Sequence, residues 1–455
     1  MPAREVENTT LVLRGGTILT LDERATVLRG ADLVIAGGRI AAVGPGQAGG
    51  RAAARVIDVT GCLVLPGLVQ GHVHLGQTFF RGLAEGRRLL SWLRERIWPL
   101  EAAHDDESAY WCALAGAAEC LLGGTTTVQD IGIGPGIRGL LRALRDSGLR
   151  GVAGKCLMDS GDGLPAALAE DTDRALADTE ELGLELAGEG AGRLRYALNP
   201  RFILTCSDRL WRGIRELADR HGWPVHTHAL EQRDETDAVR AAKGGRDEIE
   251  YFAEAGILAT DLRLAHGVWL TEEHLRRARG GRFSVVHCPG SNLKLGSGIA
   301  DVVGLRRAGV PVGVGADGAA CNNHLDALEE LRLAALLQKL RHGPDAFGGL
   351  DALRLATSEG ARAIGLEREL GSLTAGRHAD VVVLDGRRPE LWAAPEADPH
   401  DVVAFGGARA AVRHVLVGGE LLVENGRLTR LDLAEIHRQS EVHLAALLRR
   451  ARIEL

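Results

Sequence analysis

Two kinds of hydrophobic pattern alternate along this 455-residue chain and separate its ends from its middle. Near both ends, short apolar runs are separated by glycine turns, which is typical of a small antiparallel sheet. These runs are Leu11–Leu13, Thr17–Leu19, Leu33–Ala36, Ile40–Val43, Arg55–Val59, Ala379–Leu384, Val412–Val417 and Glu420–Val423. We therefore predict that the two ends of the chain pair in one small β-sandwich and that the middle is inserted as a second domain.

In the middle of the chain, apolar runs alternate with amphipathic helical segments, of which Ala102–Gly123 and Asp326–Leu340 are the clearest. Eight such runs, each followed by a helix, predict an α/β fold of the (β/α)8 TIM-like barrel type. The runs are Leu63–Leu65, Thr126–Gln129, Gly151–Leu157, Arg195–Leu198, Val225–Thr227, Leu262–Ala265, Ser284–His287 and Val312–Gly315. Because the chemistry of such barrels lies at the carboxyl ends of the strands, the polar residues that directly follow these runs are the candidates for function.

These patterns predict four segments. Residues 1–65 and 371–430 are the two parts of the β-sandwich, and residues 66–370 are the barrel. Residues 431–455 are a C-terminal helix, because Leu431–Ile453 is charged and helically periodic.

Composition excludes several classes of partner. The net charge of −7 gives no reason to expect a nucleic acid. No apolar run reaches the roughly 18–20 residues of a membrane helix, and Met1–Thr10 lacks the apolar core of a secretory signal. The seven cysteines are dispersed without a CxxC pair, which excludes a zinc ribbon and indicates a reduced, cytoplasmic protein.

Four polar features follow four of the apolar runs. His72 and His74 have the i, i+2 spacing that points both imidazoles to one side of an extended segment. Neutral imidazole binds first-row metals well, although a structural role for an isolated HxH remains open. His266 and Asp317 follow two later runs, where a buried histidine and a turn aspartate are the ordinary alternatives.

The remaining feature is the segment His226-Thr227-His228, which is followed by Glu231. We favour His228 as the metal ligand because it stands in an HxxE relation to Glu231, and we leave His226 as a structural or supporting residue. Burying Glu231 without a function would be costly. Four such features at separate strand ends of one barrel predict a single polar cavity.

From His72 to Asp317 the chain resembles the adenosine-type deaminases of the amidohydrolase superfamily, especially those acting on 5′-deoxyadenosine, 5′-methylthioadenosine and S-adenosylhomocysteine. The resemblance covers nearly the whole chain. Besides the four features above, it rests on the segments Leu65-Pro66-Gly67-Leu68, Arg81-Gly82-Leu83-Ala84-Glu85, Trp98-Pro99-Leu100-Glu101, Gly123–Val128, His287–Leu295, Gly315–Asn323 and Leu331–Ala335.

The resemblance implies that His72, His74, His228 and Asp317 bind one divalent metal, with Zn²⁺ favoured and Fe²⁺ suited to the same ligands. Such a site leaves a position for water, whose pKa the cation lowers towards ~7. By the same resemblance, Glu231 transfers a proton to the ring, His266 orients the attacking hydroxide, and Asp317 is also a proton acceptor.

Two other kinds of zinc site are disfavoured. A two-metal site in this superfamily generally needs a carboxylated lysine, and Arg195–Arg201 contains none. The zinc deaminases with a cysteine-rich site use HxE and PCxxC motifs, and neither occurs here.

The resemblance also implies the residues that select the substrate. Glu101 matches the glutamate that accepts both ribose hydroxyls in nucleoside deaminases, although a solvated charge in a first helical turn is the alternative. Trp92 could pack against the sugar, or could simply be a buried aromatic residue. His287 and Asn292 are further candidates for the substrate pocket.

Arg201 and Lys155 mark the departures from the family pattern. Arg201 stands where related enzymes have a histidine that contacts the purine, and of the basic residues that bind the amino-acid tail of S-adenosylhomocysteine only Lys155 has a counterpart. A carboxylate left with one partner binds poorly. We therefore rank 5′-deoxyadenosine first and 5′-methylthioadenosine next.

Two alternatives stay open. One is an aminohydrolase of a free base, such as guanine or 8-oxoguanine, or of an s-triazine, which the diol-binding role of Glu101 argues against. The other is a noncatalytic amidohydrolase-like binding protein, which the complete set of ligands argues against. The resemblance further suggests a homo-oligomer that acts on a small-molecule nucleoside.

Overall fold

The computed structural model of the protein describes residues 10–47, 55–188, 192–407 and 409–453. Residues 1–9, on which the prediction about a secretory signal rests, lie outside this part. No helix within the described ranges is long and apolar enough to cross a membrane.

Both ends of the chain contribute to one nine-stranded sheet, as predicted. Cys62–Pro66 from the first part runs antiparallel to Val381–Asp385 from the second. The sheet is mixed and not purely antiparallel, because Leu11–Leu19 runs parallel to both Arg55–Asp58 and Cys62–Pro66. The other strands are Val27–Ala36, Arg39–Gly44, Val412–Val417, Glu420–Glu424 and Arg427–Leu428. Their buried side chains, such as Leu33, Val64 and Leu416, share one apolar core.

Eight parallel strands form the barrel. They are Leu68–His74, Thr125–Asp130, Arg150–Ala153 continued by Cys156–Leu157, Leu194–Tyr196 continued by Asn199–Pro200, Val225–Ala229, Asp261–His266, Arg282–His287, and Val312–Val314 continued by Asp317–Gly318. Asp317 pairs with Val73, which joins the eighth strand to the first, and a bridge between Leu198 and Val225 joins the fourth to the fifth.

The first barrel strand differs from the predicted one. The run Leu63–Leu65 belongs to the nine-stranded sheet, where Leu65 pairs with Val382. This strand ends at Pro66, which has no amide hydrogen to continue a ladder, and the barrel begins at Leu68. A short apolar run suits a strand of either sheet, so the hydrophobic pattern could not separate the two.

Helices follow every barrel strand, and two further helices, Pro399–Gly406 and Leu433–Ala451, follow strands of the nine-stranded sheet. The helices are Leu89–Trp92, Trp98–Ala102, Asp106–Leu122, Ile137–Ser147, Thr172–Gly188, Asp208–His221, Arg233–Ala242, Glu248–Glu254, Glu272–Arg277, Pro289–Lys294, Val302–Arg307, Ala319–Asn322, Ala327–His342, Gly349–Leu355, Ser358–Ala363, Pro399–Gly406 and Leu433–Ala451, with a π-helical turn at Leu93–Ile97. Short 3₁₀ turns lie at Leu75–Phe80, Ile203–Thr205, Ile257–Ala259, Pro389–Leu391 and Arg409–Ala411. Asp326 begins Ala327–His342 by accepting hydrogen bonds from the backbone of Leu328 and Glu329.

The chain divides into two compact units. One contains Met1–Gln70, Glu119–Thr127 and Asp326–Arg430, and the other contains Gly71–Ala118, Val128–Leu325 and Leu431–Leu455. In the second unit the C-terminal helix buries Leu447 in the same apolar cluster as Trp92 and Trp98. The boundaries expected at residues 65, 370 and 430 stay a prediction.

Candidate active site

The ends of three barrel strands bring four potential metal ligands together. His72 and His74 lie on Leu68–His74, His228 on Val225–Ala229, and Asp317 at the end of the eighth strand. One nitrogen or oxygen atom of each lies within 4.8 Å of the others. The i, i+2 spacing of His72 and His74 in an extended strand explains why both imidazoles reach the same place.

The donor atoms face one another in a way that suits a cation. Nε2 of His74 lies 3.1 Å from Nε2 of His228. Nε2 of His72 and Nε2 of His74 each lie 3.2 Å from Oδ1 of Asp317. Nε2 of His72 is buried and has no hydrogen-bond partner among the described residues beyond this contact with Asp317. Three imidazoles and one carboxylate form a donor set typical of zinc, so these residues fit a divalent metal.

Burial keeps the imidazoles in the neutral form that binds metals. It lowers the pKa of His74 to about 3 and the pKa of His228 well below its usual value. Burial acts to raise the pKa of Asp317, but hydrogen bonds from His72 and His74 outweigh it and hold that pKa well below the ordinary value. The cluster therefore offers three neutral nitrogens and one anionic oxygen.

The outward-facing nitrogens of two ligands also have partners. Nδ1 of His228 lies 2.6 Å from the backbone oxygen of Arg201. Nδ1 of His72 lies 2.9 Å from Nε2 of His226, which is fully buried. Such partners fix the ring orientation and tautomer of a metal-binding histidine. In the segment His226-Thr227-His228, therefore, His228 is the candidate ligand and His226 lies behind the ligands.

Glu231 and His266 lie beside the four ligands. Nε2 of His266 is 3.5 Å from Oε2 of Glu231 and 3.8 Å from Oδ2 of Asp317. Asn292 holds Nδ1 of His266 at 2.9 Å, and Ser297 donates to Oε1 of Glu231 at 3.2 Å. Burial raises the pKa of Glu231, which suits a carboxyl group that holds and releases a proton.

The backbone at the site is strained. Leu230, His266 and Asp317 have φ angles of +55°, +71° and +61°, in the left-handed region that side chains with a Cβ rarely adopt. Each such residue costs of order 1–3 kcal/mol and persists only where the surrounding structure enforces it. Three such residues at the ends of barrel strands, all beside the candidate ligands, form the kind of cluster that marks functional sites.

A cavity opens at these strand ends. Its polar lining includes the candidate ligands His74, His228 and Asp317 together with Glu231 and His266. Its apolar wall consists of Leu89, Trp92, Leu93, Phe202 and Leu295, and two further charged residues, Arg201 and Glu235, complete it. An apolar wall with a few convergent polar groups is typical of small-molecule sites.

Among the predicted substrate residues, Trp92 and Arg201 line this cavity. Glu101 is buried next to it, and both of its carboxylate oxygens already have partners. Arg201 Nη1 donates to Oε2 at 2.6 Å, and Gln77 Nε2 donates to Oε1 at 2.8 Å. Each oxygen of Glu101 therefore already accepts one hydrogen bond from the protein, and the predicted role of Glu101 in binding a ribose diol stays a prediction.

Lys155 and His287 are not among the described residues that line the cavity. Lys155 lines a separate cleft, where its ammonium group lies 2.5 Å from Glu170 and 3.1 Å from Asp178. His287 is fully buried, and neither ring nitrogen has a hydrogen-bond partner within the described part of the chain. The expectation that Lys155 and His287 bind the substrate therefore stays a prediction.

Ser291 and Gln77 belong to the site but were not predicted from the sequence. Ser291 donates to Oδ2 of Asp317 at 2.7 Å, and Gln77 links Glu101 to His74, whose Nδ1 lies 3.3 Å away. No local pattern distinguishes these polar side chains. The apolar pair Leu89 and Leu93 could have been found, because it lies at helical spacing around Trp92.

Comparisons with known proteins agree with this geometry. A family model described as "Amidohydrolase family" matches residues 63–422. The chain is 34% identical to a 5-methylthioadenosine/S-adenosylhomocysteine deaminase of Pelotomaculum thermopropionicum, over 97% of this chain and 99% of the relative. It is 36% identical to a 5′-deoxyadenosine deaminase of Methanopyrus kandleri, over 82% of this chain and 84% of the relative.

Among solved structures, an adenosine deaminase from Xanthomonas campestris with bound zinc is similar, with a TM-score of 0.88 and 29% sequence identity. The match covers 96% of this chain and 98% of that one. The family match, the barrel and the cluster of three histidines and one aspartate all indicate the same family. The chain therefore belongs to the amidohydrolase family.

Proposed function

We propose that this protein is a metal-dependent aminohydrolase that deaminates the adenine ring of a nucleoside, releasing ammonia and the inosine analogue. 5′-Deoxyadenosine and 5′-methylthioadenosine are the favoured substrates. The observation that carries this proposal is the position of Glu231 and His266 beside four metal-binding groups in one cavity. The names of the relatives, which are deaminases of adenine nucleosides, support it.

His72, His74, His228 and Asp317 would hold one divalent cation, with zinc favoured over iron(II). When bound, the cation supplies the Lewis acidity that activates water for attack on the ring carbon bearing the amine. The zinc in the adenosine deaminase from Xanthomonas campestris supports this choice of metal.

The chain's own residues would move the protons. Glu231, whose pKa burial raises, would carry a proton from the attacking water to the ring nitrogen beside the amine. His266 would orient that water, because its Nε2 faces both Glu231 and Asp317 and lacks another partner among the described residues. Asp317 would accept the second proton of that water at its carboxylate and pass it to the amine, which leaves as ammonia. Trp92 and its apolar neighbours would exclude bulk water.

The charges around the cavity favour an uncharged 5′ group. Arg201, the one arginine or lysine among the described lining residues, is paired with Glu101, and Lys155 is paired with Glu170 and Asp178. The carboxylate of S-adenosylhomocysteine would therefore have to compete with a protein carboxylate for either cation. This argument supports 5′-deoxyadenosine and 5′-methylthioadenosine over S-adenosylhomocysteine.

We also propose an oligomeric state, a cellular compartment and a class of partner for the enzyme. A homo-oligomer in the cytoplasm, without a nucleic-acid or membrane partner, would suit an enzyme of small-molecule metabolism. The net charge of −7 supports the absence of a nucleic acid.

Ammonia release from the zinc-loaded protein tests the proposed reaction. The panel contains 5′-deoxyadenosine, 5′-methylthioadenosine, S-adenosylhomocysteine, adenosine, guanine, 8-oxoguanine and an s-triazine. We expect the highest kcat/KM on the first two compounds. Activity confined to guanine, 8-oxoguanine or the triazine would replace the nucleoside assignment, and no activity on any compound would favour a noncatalytic binding protein.

A further inference from the structure

Gln232 is a buried side chain that joins three segments around the cavity. Its side-chain oxygen accepts a hydrogen bond from the backbone N–H of Leu89 at 3.3 Å. Its side-chain nitrogen donates to the backbone oxygen of Leu295 at 2.9 Å and to Oγ of Ser297 at 3.2 Å. A backbone N–H can only donate and a carbonyl oxygen can only accept, so these contacts fix which end of the amide is oxygen and which is nitrogen. Leu89 and Leu295 both belong to the apolar wall of the cavity.

Ser297 extends this connection to Glu231. A serine hydroxyl has one hydrogen to donate and two lone pairs that accept. Because Oγ of Ser297 accepts from Gln232, its hydrogen is available for Oε1 of Glu231, which lies 3.2 Å away. The three hydrogen bonds therefore run in one direction, from the backbone of Leu89 through Gln232 and Ser297 to the carboxyl group. Hydrogen bonds arranged in this way polarise and strengthen one another.

The backbone that carries Glu231 and Gln232 is held by a second carboxyl group. Oε2 of Glu235 accepts hydrogen bonds from the N–H of Glu231 at 2.9 Å and from the N–H of Gln232 at 3.3 Å. Leu230, the residue before Glu231, has a φ of +55°. The side chains of Glu231 and Gln232 therefore start from one tight, fixed turn.

The two oxygens of Glu231 lie in different surroundings. Oε1 accepts the hydrogen bond from Ser297, whereas Oε2 lies 3.5 Å from Nε2 of His266. The same nitrogen of His266 lies 3.8 Å from Oδ2 of the candidate ligand Asp317, so Oε2 is on the side of the ligands. A hydrogen bond donated to Oε1 stabilises negative charge on that oxygen, and a proton on the carboxyl group is therefore favoured on Oε2.

From this chain of contacts we infer that Gln232 is a positioning residue for proton transfer. Through Ser297 it keeps Oε1 of Glu231 occupied, so that Oε2 is the atom that takes the proton from the attacking water and gives it to the ring nitrogen. This inference rests on the proposed function, because it concerns the carboxyl group that the proposed reaction uses.

The first test is a double-mutant cycle with Gln232→Met, Ser297→Ala and the double variant, measured on 5′-deoxyadenosine with the zinc-loaded protein. Methionine is close to glutamine in length but neither donates nor accepts strongly. We expect each single variant to lower kcat roughly 10-fold, the effect of weakening a hydrogen bond to a charged group. KM should change less than about 3-fold, because the interaction serves the transition state and not substrate binding. The double variant should be no slower than the slower single variant.

Three outcomes of this cycle would overturn the inference. One is a kcat for either single variant within about 2-fold of the wild type, and another is a pair of losses that multiply in the double variant. The third is a higher KM with an unchanged kcat, which would mean that Gln232 only shapes the wall of the cavity.

The second test repeats Gln232→Met in the Glu231→Gln background. This background removes the carboxyl group through which Gln232 acts, so Gln232→Met should lower the residual kcat less than about 2-fold. A general effect on cavity shape or stability would persist in this background. A loss as large as in the wild type would therefore contradict the inference.

Asp234→Asn is the matched control, because it removes a contact between the same two segments that Gln232 and Leu89 join. Asp234 pairs with Arg88 at 2.7 Å, and both side chains are exposed. Such pairs contribute little, so kcat and KM should stay within about 2-fold of the wild type. Zinc content and far-UV circular dichroism show whether each variant is loaded and folded. A loss equal to that of Gln232→Met would show that any loosening of these segments slows the reaction, which would remove the special role of Gln232.

The proposed function and this inference fail in different ways. If the wild type deaminates guanine and no adenine nucleoside, the nucleoside assignment fails. The cycle is then run on guanine, where the same non-additive losses of kcat support the role of Gln232 and their absence refutes it. Inactivity on every compound of the panel would refute both, because no proton transfer would then exist for Gln232 to support.

Discussion

Nε2 of His226 lies 2.9 Å from Nδ1 of His72, so one fully buried imidazole supports another at the candidate metal site. The other nitrogen of His226 has no hydrogen-bond partner among the described residues. An unsatisfied buried polar atom is costly, and the cost is tolerated at positions that serve function. The contact fixes the ring of His72, whose Nε2 is the atom that faces the cluster.

We predict that His226→Leu lowers the affinity for zinc by roughly 10–100-fold, the usual effect of losing a partner behind a metal-binding histidine. His226→Gln should restore most of this loss, because its amide can still pair with Nδ1 of His72. Competition with a chromogenic chelator measures the affinity. His414→Leu, which removes a buried imidazole from the nine-stranded sheet, is the control, and equal affinities for all variants would refute the supporting role of His226.

Glu231→Gln should reduce kcat/KM by about 10²–10⁴-fold, the typical contribution of a general acid–base group. Its zinc content should stay at the wild-type value, because Glu231 is not one of the four clustered ligands. Steady-state ammonia release and metal analysis measure the two effects separately. A variant that lost its metal along with its activity would instead make Glu231 part of the metal site.

One metal ion per chain should suffice for activity, because the candidate ligands form a single set of three imidazoles and one carboxylate among the described residues. Removing the metal with a chelator should abolish ammonia release, and one equivalent of zinc should restore it. Titration of the metal-free protein with zinc, followed by elemental analysis, measures the stoichiometry. A requirement for two equivalents would show that a second ion takes part.

Asp130 should make stability depend on pH. Burial raises its pKa to about 7, although the backbone N–H groups of Leu75 and Gly132 bond to its oxygens and act to lower it. The unfolded chain has an ordinary pKa near 4. The folded state therefore binds the proton more tightly, so this contribution to stability is complete below about pH 4 and is lost as the pH rises through about 7.

Between pH 5 and pH 8 we expect the wild type to lose about 2–3 kcal/mol of unfolding free energy relative to Asp130→Asn, whose amide does not titrate. Urea unfolding at several pH values measures the difference. Parallel pH profiles for the two proteins would mean that the two backbone hydrogen bonds keep Asp130 ionised throughout.

The sequence alone was sufficient to predict the features of the fold and site that depend on local residue spacing. The i, i+2 relation of His72 and His74 fixes their common direction as soon as the segment is a strand. Apolar runs followed by helices specify a parallel barrel, and a barrel brings its strand ends to one face. The convergence of His228, His266 and Asp317 on the same cavity follows from these two facts, without any knowledge of tertiary contacts.

Only the tertiary structure decided which distant strands and side chains pair with one another. The run Leu63–Leu65 pairs with Val381–Asp385 in the nine-stranded sheet. These two segments lie more than 300 residues apart in the chain, so no local pattern could predict that they pair. Arg201 and Glu101 are 100 residues apart, and their ion pair changes Glu101 from a free carboxylate into a bound one. Lys155 pairs with Glu170 and Asp178 in a separate cleft. Residue spacing specifies the direction of a side chain within its own strand or helix, whereas its partners depend on which strands and helices the closed barrel makes neighbours.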